Sequence, residues 1–92
     1  MKLKINKYEF DVTNKDIVMD NGALYQCITL KHDSGLRFGG MISTIMSKQQ
    51  FNTMLKNNQL VLLDPAKYPN TYRNHIHSDM VSSVRLYRFN VE

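Results

Sequence analysis

The chain has 92 residues, of which 42% are hydrophobic and 22% are charged, and its formal net charge is +4. This length and balance are typical of a single globular domain, residues 1–92, and exclude an intrinsically disordered chain. Apolar runs of only a few residues exclude a transmembrane helix, and a single cysteine excludes an internal disulfide or a thiolate metal cluster.

The first twelve residues have the pattern of a β-hairpin. Apolar and charged residues alternate on both sides of a turn near residues 6 and 7. An alternation with period two is typical of a strand with one solvated face. The charged residues of the first strand are lysines and those of the second are carboxylates. Cross-strand pairs of opposite charge are therefore expected to fix the register.

The next part of the chain predicts two further strands. Residues 13–22 are polar and predict a connection with one short apolar element inside it. Residues 23–31 are rich in β-branched and aromatic side chains and predict a strand. Residues 32–35 predict a turn of hairpin length, after which residues 36–38 are expected to begin the returning strand. The paired glycines at 39–40 indicate a bulge or a close backbone approach.

The clearest local signal is that of a helix at about residues 47–57. Ser47 is a suitable N-cap, and Gln50 three residues later completes the pattern of a capping box. Met46 and Phe51 have the spacing of a hydrophobic staple. A helix of this length is too short to be stable alone in water, so it is expected to pack on a sheet.

Three segments complete the predicted fold. Residues 60–63 are wholly apolar and predict a short strand covered on both faces, and residues 64–80 predict a long irregular loop. Residues 81–91 predict the last strand. Its apolar residues change from one face to the other near Leu86, which indicates two partly covered faces or a bulge. The sum is an α+β domain in which the one helix, residues 47–57, packs on a mainly antiparallel sheet of about five strands.

The segment NTYRNHIHSD, residues 70–79, holds most of the side chains that could carry chemistry. Long loops in small domains often have a functional role. Tyrosine and arginine are preferred anchors of protein interfaces, so Tyr72 and Arg73 are expected to insert into a pocket of a partner, with the histidines at the rim. The predicted partner-binding residues are Tyr68, Tyr72, Arg73, His75, His77, Arg85 and Arg88.

These features predict a small non-catalytic protein-binding module without a cofactor. Frequent Lys, Asn and Ile with few Ala indicate an AT-rich genome. We therefore expect an accessory protein of a phage or mobile element that inhibits or redirects a host protein. A homodimer is compatible with this hypothesis if an edge strand, such as the first hairpin or residues 81–91, pairs with its copy.

The first alternative is a nucleic-acid-binding protein. Tyrosines and arginines on the sheet or in the loop are suited to stacking on bases and contacting phosphates. The positive charge is spread along the chain, however, rather than gathered in the basic run that often marks such proteins.

The second alternative is a small ribonuclease-like or metal-dependent hydrolase at His75 and His77. Two histidines could act as general base and general acid, with Arg73 stabilising a phosphate. With Asp79 and with His32 or Asp33, they could instead hold a metal ion. The His-x-His spacing is common by chance, and no second motif supports either reaction.

The single cysteine, Cys27, lies in an apolar run. A small buried side chain is the expected role, since no histidine adjoins it in sequence to act as a base. The lone cysteine and the lack of a signal peptide favour a cytoplasmic location, and no membrane partner is expected.

Overall fold

A computed structural model describes residues 2–5, 8–29, 42–76 and 83–91. The helices and strands formed by these residues are, in chain order, β1 (Lys2–Ile5), β2 (Tyr8–Asp11), β3 (Ile17–Asp20), β4 (Tyr25–Thr29), β5 (Ile42–Met46), α1 (Lys48–Lys56), β6 (Leu60–Leu63), α2 (Pro69–His75) and β7 (Arg85–Phe89). The predicted α+β class and antiparallel sheet are confirmed. Neither described helix is long and apolar enough to cross a bilayer.

The main sheet has five strands in the order β5-β4-β3-β7-β6, and every neighbouring pair is antiparallel. The outer strands β5 and β6 therefore run in the same direction, and α1 connects them. The predicted hairpin, β1 with β2, forms a separate two-stranded sheet. Its register places Lys2 opposite Asp11 and Lys4 opposite Glu9, as the charge pattern predicted.

One face of the main sheet is covered by α1 and by the hairpin. Phe51 and Met54 of α1 pack in a buried cluster that includes Val18, Cys27 and Phe89 of the sheet. The Phe51 ring lies between two tyrosine rings of this face, with centroid distances of 4.7 Å and 5.1 Å. Such tilted and edge-on pairs add to the stabilisation that burial provides.

The predicted N-terminus of α1 is confirmed, with one difference. The Ser47 hydroxyl accepts a hydrogen bond from the Gln50 backbone N–H at 3.1 Å. The Gln50 side chain does not complete the capping box, because its Nε2 donates to the carbonyl of Lys4 at 2.8 Å. The same residue therefore ties the helix to β1.

The opposite face of the sheet is covered by α2, which the sequence did not predict. The segment was expected to be an irregular loop, and its N-cap residue, Tyr68, makes no side-chain capping bond. Two signals favour the helix: Pro69 at its start, and Tyr72 and Ile76 four residues apart. Both of these apolar positions are buried against the sheet in a second cluster.

The last strand, β7, is paired on both sides. Its register with β3 and with β6 is regular, so a bulge near Leu86 is excluded. Leu86 and Phe89 lie on opposite faces, and each belongs to a different buried cluster. Two covered faces therefore explain the change of apolar phase. The expectation that residues 81–91 form an edge strand was wrong, because β7 lies between β3 and β6.

The interpretation of β6 as a strand covered on both faces was also wrong. It is the outermost strand of the sheet, and Val61 and Leu62 are 36% and 50% exposed. The short element expected within residues 13–22 is β3, the central strand. The predicted turn, the predicted start of the returning strand and the paired glycines lie outside the described residues. The described strand that follows them is β5.

Candidate functional site

A surface cleft of about 330 Å³ lies beside α2. It is lined by α2, by the turn before β3, and by strands β3, β6 and β7. Ile17 and Leu63 contribute buried apolar side chains, and Tyr68, at the start of α2, is 43% exposed. An apolar base with polar groups around it is the usual character of a binding site.

The cleft brings together three of the predicted residues that are distant in sequence. Tyr68 precedes α2, His75 ends it, and Arg88 comes from β7. Arg73 is exposed and lines a neighbouring depression of about 250 Å³ that shares His75. Lys15 also lines the cleft, and the sequence did not single it out because only the fold carries its turn to α2.

The charges that line the cleft have one sign. Lys15 and Arg88 are the charged side chains among the described residues that line it, and none of those residues carries a carboxylate. The carboxylate nearest to Lys15 in sequence, Asp16, is fully buried. Two cations that line one concave site produce a positive potential there. The cleft is therefore suited to an anionic group.

His75 is held in one tautomer when it is neutral. Its Nδ1 lies 2.9 Å from the carbonyl oxygen of Thr71, one helical turn earlier. A carbonyl can only accept a hydrogen bond, so Nδ1 carries the hydrogen. The other ring nitrogen, Nε2, is then an acceptor. The imidazole is thus oriented by its own helix and can accept a hydrogen bond from a bound group.

Tyr72 does not have the predicted role. Its side chain is 1% exposed, and its hydroxyl donates to the carbonyl of Leu63 at 2.6 Å and accepts from the backbone N–H of Leu86 at 3.0 Å. The interpretation of Tyr72 as an anchor that inserts into a partner was therefore wrong. The residue is part of the core beneath α2.

Arg85 and Arg88 do not share a surface. They are three residues apart on a regular strand, so their side chains lie on opposite faces of the sheet. Arg88 lines the cleft, whereas Arg85 lies opposite Asp20 in the register with β3 and donates to the carbonyl of Val84 at 3.0 Å. Arg85 is therefore separate from the candidate site.

The predicted residue His77 lies outside the described residues, as do Asp79, His32 and Asp33. Within the described part of the chain, no group of three His, Cys, Asp or Glu residues could hold a metal ion. The pairing of His75 with His77 stays a prediction.

A larger depression of about 550 Å³ follows the outer side of α1. It is open, and Lys48 and Lys56 line it together with polar side chains of the same helix. The described residues that line it include neither an aromatic nor an imidazole group, and all of them belong to α1. The cleft beside α2 is the stronger candidate because four separate parts of the chain converge there.

The turn that carries Lys15 is fixed by Asp16. One carboxylate oxygen, Oδ2, accepts from the Thr13 backbone N–H at 2.7 Å, and the Asp16 N–H donates back to the Thr13 carbonyl at 3.2 Å. We expect Asp16→Ala to lower the free energy of unfolding by about 1–3 kcal/mol, because it leaves a donor unpaired. Asp16→Asn keeps a side-chain oxygen that can accept this hydrogen bond, so it should lower the free energy of unfolding by less. Urea unfolding of the three proteins checks this order, and equal losses for both variants would contradict it.

Comparisons with known proteins give no match: no family model, no curated protein and no solved structure matches this chain. A functional proposal for it therefore rests on the geometry of the cleft.

Proposed function

We propose that this protein is a non-catalytic binding module that docks on an acidic segment of another protein through the cleft beside α2. The observation that supports the proposal is the convergence of Tyr68, His75 and Arg88 in one cleft that Lys15 also lines, with no carboxylate among the described lining residues. An aromatic side chain, an oriented imidazole and two cations are the groups that recognise a carboxylate with an apolar neighbour.

Each of these groups loses little freedom on binding. Tyr68 immediately precedes Pro69, which has a fixed φ, and its side chain has only two rotatable angles. Arg88 belongs to a strand that is paired on both sides. A guanidinium on a rigid strand can bind a carboxylate through two parallel hydrogen bonds at a small cost in entropy. Lys15 adds long-range attraction that speeds the encounter with an acidic partner.

The dimensions of the cleft favour part of a protein chain as the occupant. A volume of about 330 Å³ is near the lower end of the range for small-molecule pockets, about 300–1,000 Å³. The neighbouring depression at Arg73 extends the same surface along α2. A segment with two or three side chains, one of them acidic, would occupy both.

The biological role that we propose is that of an accessory protein of a phage or mobile element. It would act in the cytoplasm by occupying the surface of a host protein, and would thereby inhibit or redirect that protein without altering it chemically. Binding without chemistry is sufficient for such a role.

The test compares the wild type with Arg88→Glu and with Lys56→Glu. Both substitutions change the net charge by the same amount, but Lys56 lies on α1, away from the cleft. The three tagged proteins are used to capture partners from a nuclease-treated lysate of a low-GC bacterium. The protein captured by the wild type is then purified, and its affinity for each variant is measured.

We expect Arg88→Glu to weaken binding at least about tenfold, as truncation of an interface anchor does, and Tyr68→Ala to have an effect of similar size. Lys56→Glu should bind like the wild type. Equal affinity of Arg88→Glu and the wild type would contradict the proposal.

The same experiment distinguishes the two alternatives. A nucleic-acid partner would be lost on nuclease treatment, and its affinity would fall steeply as salt rises from 50 to 200 mM. A hydrolase would show turnover that His75→Ala abolishes, whereas the binding module has none.

A further inference from the structure

In the part of the chain that the structure describes, the outer strand β6 is an edge that lacks the usual charge, proline or bulge. Its sequence, LVLL, contains no charge and no proline, and Val61 and Leu62 remain 36% and 50% exposed. Its register with β7 is regular, so no bulge turns the edge away. Proteins normally protect an edge strand by one of these means, since its free backbone groups can pair with another strand.

The direction of these backbone groups follows from the register. Asn90 donates to the carbonyl of Gln59, so residues 59, 61 and 63 are the ones that direct their backbone groups towards β7. Leu60 and Leu62 therefore direct their N–H and C=O groups away from the sheet. No backbone hydrogen bond to another described residue is found at that outer side.

We propose that β6 pairs with β6 of a second copy of this chain. The two strands would be antiparallel about a two-fold axis at Val61, with Leu60 bonded to Leu62 of the partner subunit and Leu62 to the partner subunit's Leu60. Both residues offer one donor and one acceptor, so the edge is complementary to itself. Two sheets of five strands would become one sheet of ten.

The side chains agree with this register. Val61 would face Val61 of the partner subunit on one face, and the exposed Leu62 would cover the partner subunit's Leu60 on the other. Residues 59–63 carry no charge, and at the next position Asp64 would lie opposite Asn58 of the partner subunit. No like charges are therefore directly opposed, as a stable pair of strands requires.

The other edge of the sheet is less suited to such pairing. The hairpin contacts β5 through β1, whereas β6 has its main contacts with β7 and α1. Leu62 lies on the face opposite to Arg88, so a substitution of Leu62 leaves the side chains of the cleft in place. Loss of the dimer and loss of partner binding can thus be observed separately.

The test measures the oligomeric state of Leu62→Lys, Leu62→Glu and the wild type by sedimentation between about 10 µM and 1 mM, because a contact of this small area is expected to be weak. The wild type should form dimers in this range. Each variant should dimerise at least about tenfold more weakly, because the charge would lie against the partner subunit's Leu60 and diagonal to its own copy across the axis. An equimolar mixture of the two variants should form a heterodimer again.

The matched control is Ile45→Lys, which places the same charge on an exposed apolar position of the other edge, 52% exposed, and should leave the dimer unchanged. Hydrogen exchange gives a measurement without substitution. The exchange rates of the Leu60 and Leu62 amides of the wild type should fall as the protein concentration rises. A wild type that stays monomeric up to about 1 mM would overturn the proposal. Dimers that persist in both variants would overturn it as well.

Discussion

Tyr72→Ala is expected to lower the free energy of unfolding by about 3–5 kcal/mol, the usual cost of removing a buried aromatic side chain. The ring is 1% exposed and packs with Ile17, Leu63 and Leu86 in the cluster beneath α2. A domain of this size has a total stability near the lower end of about 5–15 kcal/mol. The variant should therefore be close to unfolding at room temperature. Urea denaturation followed by circular dichroism measures the loss.

Tyr72→Phe removes only the hydroxyl. It should lower the free energy of unfolding by about 1–3 kcal/mol, because it leaves a buried carbonyl and a buried N–H without their partner. Tyr68→Phe is the matched control: Tyr68 is 43% exposed, and its variant should stay within about 0.5 kcal/mol of the wild type. If Tyr72→Phe were as stable as Tyr68→Phe, the hydroxyl would not connect the two strands.

The second large effect is a loss of stability at alkaline pH that depends on Cys27. Burial, and then the negative charge of Asp16, raise the pKa of the Cys27 thiol from its ordinary value of 9.0 to about 12. Below pH 9 the thiol is protonated in both the folded and the unfolded chain. Between pH 9 and about 12 only the unfolded chain releases the proton, so the free energy of unfolding falls as pH rises, by up to about 1.4 kcal/mol per pH unit.

Cys27→Ala removes this titration and should make the free energy of unfolding less dependent on pH between about 9 and 11. Tyr87 serves as an internal reference, because burial and then the charge of Asp20 raise its pKa and it is present in both proteins. The difference between the two pH profiles therefore reports Cys27 alone. Parallel profiles would show that the thiol ionises equally in both states.

The sequence predicted the parts of the fold whose signals are local. The alternating charges of the hairpin predicted its register, and Ser47 predicted where α1 begins. These predictions were correct because the determining residues lie within a few positions of one another. The sequence of β7 also showed apolar residues on both faces of the strand, as expected of a strand that is covered on both sides.

The parts that could not be predicted depend on contacts between distant residues. Tyr72 has the composition of an interface anchor, and only the position of α2 against β6 and β7 makes it a core residue. Leu62 resembles a core residue, and only the strand order places it at an edge. Arg88 and Lys15 are 73 positions apart in sequence, and the fold brings both to the cleft.

The Tyr72 hydroxyl lies between β6 and β7, and its bond to the Leu86 N–H makes the exchange of that amide sensitive to the docking of α2. The N–H of Leu86 donates to Tyr72, a residue of α2, and Leu86 is the register partner of Leu63. When α2 leaves the sheet, this amide loses its acceptor, while the amides further along β7 keep their strand partners. The exchange rate of this single amide with solvent deuterium therefore measures how often the helix undocks, separately from the unfolding of the sheet.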